Sequence, residues 1–268
     1  MEHSFTLVLF TVLSQLAIGG FITLFFLDAL KGKLSPKTSQ TAAVGVVVIG
    51  IVAVLASLFH LGHPFHAAKA LLNFGHSWLS REVIFFAIFI VIAIIYLFVS
   101  KTEGGRKKIV AGLGTLFGIL TVYSTAMIYT IPSMPAWNNG TTLLAFMLTA
   151  CVLGPLFVQT ISGFTKDTFI DCSRYTTTII GALIVVNLLI ISVAHGGSDE
   201  AVATGLAICT SPLFWIKAVL YVLAFLISGR SICNSNLKNT NIATILFVLM
   251  LVAEFLGRIV FYATGVHL

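Results

Sequence analysis

Leu58-Phe-His-Leu-Gly-His-Pro-Phe-His66, followed by Ser77-Trp-Leu-Ser-Arg-Glu82, interrupts two apolar runs, residues 42–61 and 83–100. The interruption holds four of the seven histidines, His60, His63, His66 and His76, with Pro64 and the neighbours Arg81 and Glu82. Each flanking run is close to the roughly 20 apolar residues that cross a bilayer as a helix. A titratable stretch between two such runs reads as the rim of a membrane domain, where polar groups cost free energy and are kept for a function. Gly62 and Pro64 end the helix at once and expose backbone groups that need partners.

Working outward, eight apolar runs emerge: residues 6–27, 42–61, 83–100, 109–130, 141–161, 176–194, 212–228 and 241–262. Lys217 makes the seventh the weakest. Only 9% of residues are charged, against about 25% in soluble domains. The 58% apolar content, 22 Phe and 22 Gly fit a helical membrane protein with close helix contacts. The expected fold is an all-α integral membrane protein of eight transmembrane helices, one polytopic domain over 1–268. The four cysteines are isolated, with no CxxC, so an iron–sulfur or zinc site within the chain is not expected.

The net charge of +6 does not point to nucleic acid, because the basic residues are scattered over short loops. Connections after the odd-numbered runs carry Lys31, Lys33, Lys37, Lys101, Arg106, Lys107, Lys108, Lys166, Arg174, Arg230 and Lys238; those after the even-numbered runs carry Lys69 and Arg81. Eleven against two is a positive-inside pattern. It predicts both termini outside, and the histidine-rich stretch with them. Met1-Glu-His-Ser has no basic residue, so the first run reads as a retained span and not a cleaved signal. Trp78, Trp137 and Trp215 fall at the outer connections and read as interfacial anchors.

An offset of 135 residues aligns Leu13-Ser14 and Gly19 with Leu148-Thr149 and Gly154, Lys31 with Lys166, and His60 with His195. It predicts a repeat, 1–134 and 135–268, of two parallel four-helix halves.

Several polar residues lie within the runs. Thr11, Gln15 and Gly19 share one helical face, and lipid cannot satisfy the Gln15 amide. Gly114 and Gly118 read as a packing step. Asn187 reads as packing, and Lys217 as a side chain that snorkels to the interface. Glu254 and Arg258 are four apart in the favoured acid-then-base order. They fit a structural ion pair, or a proton acceptor beside a cation.

His60, Arg81, Glu82, Glu254 and Arg258 all fall toward the outer side. A quinol ring needs two hydrogen-bond partners, one of which takes a proton, and histidine titrates near neutrality. The expected site therefore has His60 as ligand and proton acceptor, Glu254 as a proton carrier, and Arg81, Arg258, Gln15 and Glu82 around the ring. His63, His66 and His76 read as solvated loop residues. A bis-histidine haem would need two facing intramembrane histidines, and His60 and His195 both lie at run ends. Nucleophile, phosphate-loop and metal motifs are absent from the sequence. The competing reading is a secondary transporter or channel using Glu254, Arg258 and Lys217.

Phe10-Thr-Val-Leu-Ser-Gln-Leu-Ala-Ile-Gly-Gly-Phe21, Phe59-His-Leu-Gly-His-Pro64, Ser77-Trp-Leu-Ser-Arg-Glu82 and Ala253-Glu-Phe-Leu-Gly-Arg-Ile-Val-Phe-Tyr262 together resemble the membrane-anchor subunit of anaerobic dimethyl sulfoxide reductases. The resemblance runs from one end of the sequence to the other. It implies an eight-span anchor in the bacterial inner membrane, without haem, that oxidises menaquinol near His60. It implies two partners, an iron–sulfur subunit with four clusters and a molybdopterin catalytic subunit. The protein would then be one subunit of an oxidoreductase complex, without a complete active site of its own.

Overall fold

A computed structural model describes residues 2–60, 73–100, 105–166, 169–195 and 198–265, with the backbone alone at 2–4, 59–60 and 193–195. Every regular element among the described residues is a helix: α1 (Glu2–Leu24), running into a π-helical turn (Phe25–Leu30), α2 (Pro36–His60), α3 (Trp78–Val99), α4 (Gly105–Tyr129), α5 (Gly140–Phe164), α6 (Ser173–His195), α7 (Asp199–Thr210), α8 (Pro212–Cys233) and α9 (Thr240–Thr264). A further single turn of 3-10 helix (Ser235–Leu237) lies between the last two. All but α7 and that turn are long and apolar enough to cross a membrane, which makes eight spans. Helix is the expected outcome, because in hydrocarbon each backbone N–H and C=O must bond within its own segment. The helices overrun the apolar runs, since their capped ends extend into polar sequence. Ser77, Asn139, Ser198 and Asn239 each accept a hydrogen bond from a first-turn backbone N–H, satisfying donors that have no partner inside the helix. The short α7 lies in what the apolar pattern marks only as the connection between the sixth and seventh spans.

The spans form two groups of four. In the first, α1 and α3 each pack against both α2 and α4; in the second, α5 and α8 each belong with α6 and α9, packing against both. The groups meet along α1 and α5, the two most buried spans. Glycine sets this crossing. A Cβ on Gly19 would stand 2.0 Å from the Ala150 carbonyl oxygen, and one on Gly154 would stand 2.1 Å from the Gly19 carbonyl carbon. The two backbones therefore touch, and the obstacle is main chain that cannot move aside. Gly114 and Gly118 receive Phe21 and Ile18, the packing role expected of them.

The bundle has a terminal end, where α1 begins and α9 finishes, and a basic end opposite. At the basic end the π turn carries Asp28 into the interior. Its carboxylate accepts from Lys107 Nζ (2.7 Å), Tyr96 Oη (2.6 Å) and Ser39 Oγ, so one acid ties α1, α2, α3 and α4 together. Thr38 and Thr165 hydroxyls meet at 2.6 Å, joining α2 to the end of α5. Lys238 pairs with Asp171 at 2.8 Å between the connections that precede α9 and α6. Partial burial opposes ionisation of Asp171, but hydrogen bonds from Lys238 and Ser173 outweigh it and hold this carboxyl below its usual range.

Candidate functional site

Toward the terminal end lie the buried polar side chains Gln15, Glu82, Lys217, Glu254 and Arg258. Ser77 caps α3, and the next turn presents Arg81 and Glu82. They part company. Arg81 donates from Nε to the Phe74 carbonyl (3.0 Å) and from Nη2 to the Gly75 carbonyl (2.7 Å), and its guanidinium lies 4.2 Å over the Trp78 ring. It thereby closes the 73–76 turn onto α3. Glu82 points inward, is buried, and accepts from Thr125 Oγ1 of α4. Among the described residues no cation reaches it as an ion pair.

Gln15 sits on α1 with 1% of its surface exposed. Arg258 Nη2 of α9 donates to its Oε1 at 3.0 Å. A guanidinium can only donate, so the amide oxygen must face Arg258 and the amide nitrogen must face away. Among the described residues that buried nitrogen has no hydrogen-bond partner. Arg258 itself stacks on Phe146 of α5, 3.6 Å from the ring centre, and is buried by that contact.

The expected Glu254–Arg258 ion pair does not form among the described residues. Glu254 turns to other helices and accepts from Tyr221 Oη of α8 (2.7 Å) and Thr149 Oγ1 of α5 (2.7 Å). Correct helical spacing is thus overridden by tertiary partners. Lys217 does not snorkel to the interface. It is 8% exposed, its Nζ donates to Asn187 Oδ1 of α6, and Gly257 leaves room for its stem against α9. Glu254, Arg258, Lys217, Asn187 and Tyr221 line one cavity between α5, α6, α8 and α9, under α7. Trp137 also lines it, stacked 4.4 Å from Phe261. It is half-buried in the connection between α4 and α5. Next to it Tyr262 Oη donates to Tyr129 Oη at 2.9 Å.

His60 closes α2, but its side chain, like that of His195, lies outside the described residues, and so do His63 and His66 altogether. His76 is exposed in the 73–76 turn. The structure therefore brings together Gln15 with Arg258, and Glu254 and Arg258 with Lys217. No hydrogen bond or ion pair among the described residues joins Arg81 to any of these. Sequence reasoning misses Thr125, Thr149 and Tyr221, because neutral hydroxyls in apolar runs carry no signal until their partner acid is known.

A family model described as DMSO reductase anchor subunit (DmsC) matches residues 1–264. The chain belongs to the DMSO reductase anchor subunit family. Its sequence is 28% identical to the C chain of anaerobic dimethyl sulfoxide reductase from Haemophilus influenzae, over 99% of this protein and 95% of that one. It is likewise 28% identical to the YnfH chain of anaerobic dimethyl sulfoxide reductase from Escherichia coli, with the same coverage. The C subunit of a sulfite dehydrogenase from Allochromatium vinosum is 27% identical over 61% of this protein and 56% of its own length. Membership makes this anchor subunit a multi-pass membrane component of a reductase complex, in keeping with its eight apolar helices.

Proposed function

We propose that this anchor binds menaquinol at the terminal end of the bundle, oxidises it there, and passes the electrons to a partner iron–sulfur subunit with four clusters. From that subunit they reach a molybdopterin catalytic subunit. The terminal end faces outward across a bacterial inner membrane, as the loop charges favour, and the two groups of four helices are parallel repeats.

The observation that carries this reading is the Gln15 amide. Arg258 fixes its orientation, and its nitrogen is a buried donor without an acceptor among the described residues. Leaving such a donor unmet costs about 1–3 kcal/mol, a cost that a ligand oxygen removes. Glu82 supports it as a buried carboxylate held by one hydroxyl, a place where a proton can reside. In this reading His60 is the quinol ligand and first proton acceptor, Arg81 orients the ring from the 73–76 turn, and Glu254 passes protons outward.

The test replaces His60→Arg and, separately, Gln15→Leu in the complete complex. Both variants should lose quinol-driven reduction, Gln15→Leu by about 10- to 100-fold for a lost buried hydrogen bond. Reduction driven by a viologen, which feeds the soluble subunits directly, should persist. Loss of both activities would assign the residues to structure.

A further inference from the structure

Glu254 and Lys217 carry opposite charges, are both buried, and line the same cavity, yet they form no ion pair among the described residues. Each is held by neutral groups. Tyr221 and Thr149 donate to the carboxylate, and Asn187 accepts from the ammonium. Opposite charges in a low-dielectric site attract strongly, so holding them apart takes dedicated partners on three helices. An ammonium has three donors, and one is spent on Asn187.

The cavity has the dimensions of a water chamber. Its volume is about 80 Å³, room for roughly five waters. Its lining includes Glu254 and Thr264, the last residue of α9. Ten residues of helix separate them, about 15 Å at 1.5 Å per residue. Its lining thus spans from the buried carboxylate to the terminal end of the bundle. There α7 lines it with Thr204 and Ile208.

We propose that this chamber is the proton exit of the anchor, with Glu254 and Lys217 as its two proton-carrying stations. The inference rests on the quinol reading above. Quinol oxidation gives quinone, two electrons and two protons, and the electrons leave singly to the iron–sulfur partner. Each proton passes to the Glu254 carboxylate, making the neutral acid, and then to water in the chamber. Lys217 gives one proton to the outer water and regains one from the Glu254 side. The charged and titratable groups facing Glu254 among the described residues are Lys217 and Tyr221 from α8 and Arg258 from its own helix; α5 and α6 bring only Thr149 and Asn187. Separation is what allows this traffic, because a closed Glu254–Lys217 pair would hold its proton in place.

The test uses the whole complex in liposomes, with quinol-driven turnover normalised to viologen-driven turnover of the assembled enzyme. Glu254→Gln keeps the shape of the carboxylate and an acceptor oxygen but cannot cycle a proton. It should slow quinol-driven turnover at least tenfold, raise the solvent deuterium isotope effect, and leave the KM for quinol unchanged. Glu254→Asp should restore part of the rate. Thr264→Leu adds bulk to the chamber lining at the terminal end without touching a charge, and should also slow turnover and raise the isotope effect. Wild-type turnover in Glu254→Gln or Lys217→Met, or slow turnover with an unchanged isotope effect, overturns the chamber while the quinol site stands. A wild-type complex that oxidises no quinol overturns both readings together, and is told apart by the unmutated control.

Discussion

Arg258 shows how much one side chain decides at the residue scale. Its guanidinium stacks on Phe146 and donates to Gln15, so it fixes which way the Gln15 amide points and leaves the nitrogen as a donor with no partner among the described residues. Lysine carries the same charge but has neither a planar face nor a fork of donors. Arg258→Lys should therefore raise the KM for quinol several-fold through a misoriented Gln15, with a smaller effect on kcat. Steady-state kinetics of the intact complex with a soluble quinol analogue would show it, and an unchanged KM would detach Arg258 from the site. Arg81 teaches the converse. By sequence it stands beside Glu82 as an equal candidate. In the structure its donors serve the Phe74 and Gly75 carbonyls and its face covers Trp78, so any part it takes comes through the turn it closes.

At the scale of elements, two features hold the bundle in register. The first is the crossing of α1 and α5 at Gly19 and Gly154, where each missing Cβ would meet backbone. Overpacking a core commonly costs about 1–3 kcal/mol, and here the obstacle cannot rotate away. Gly19→Ala should lower the thermal midpoint of the purified complex and reduce its yield, whereas Gly140→Ala, with open space at its Cβ, should do neither. The second is the π turn. One extra residue in the last turns of α1 brings Asp28 inside, against Lys107, Tyr96 and Ser39. Removing one partner of a buried ion pair costs about 3–5 kcal/mol. The 17% exposure of the Lys107 side chain places the loss at the lower end. Asp28→Asn should thus destabilise the complex in a detergent melt while quinol turnover per assembled complex is preserved, because Asp28 lies at the opposite end from the site. Loss of turnover without loss of stability would mean that the basic end takes part in the chemistry.

For the whole molecule, the polar groups divide by end. Basic loops and the Asp28 tie lie at one; Glu82, Gln15, Arg258, Glu254 and Lys217 gather toward the other. With eleven basic residues in one set of connections and two in the other, the basic end should face the cytoplasm. Fusions test this directly. Alkaline phosphatase joined after Leu268 should be active and a fluorescent protein at the same place dark; the reverse pattern would turn the molecule over and move quinol oxidation to the inner side. Family membership requires a reductase complex around this anchor, and an outward quinol site would put its soluble partners on that side.

Sequence alone determined the class, the eight spans and the candidate residues, because hydrocarbon leaves so few choices. A segment of about 20 apolar residues must become a helix, and ionisable residues within it stand out by their cost. The motifs around His60, Arg81 and Glu254 were enough to recognise the family. What the sequence could not decide is who meets whom. Glu254 and Arg258 have ideal spacing for a pair, yet Tyr221, Thr149, Gln15 and Phe146 divide them, and Lys217 stays inside because Asn187 and Gly257 make a place for it. Those partners come from five different helices. Side-chain bonds between helices depend on which faces the packing turns together, and that is decided by contacts far apart in sequence, such as the approach of Gly19 in α1 to Gly154 in α5.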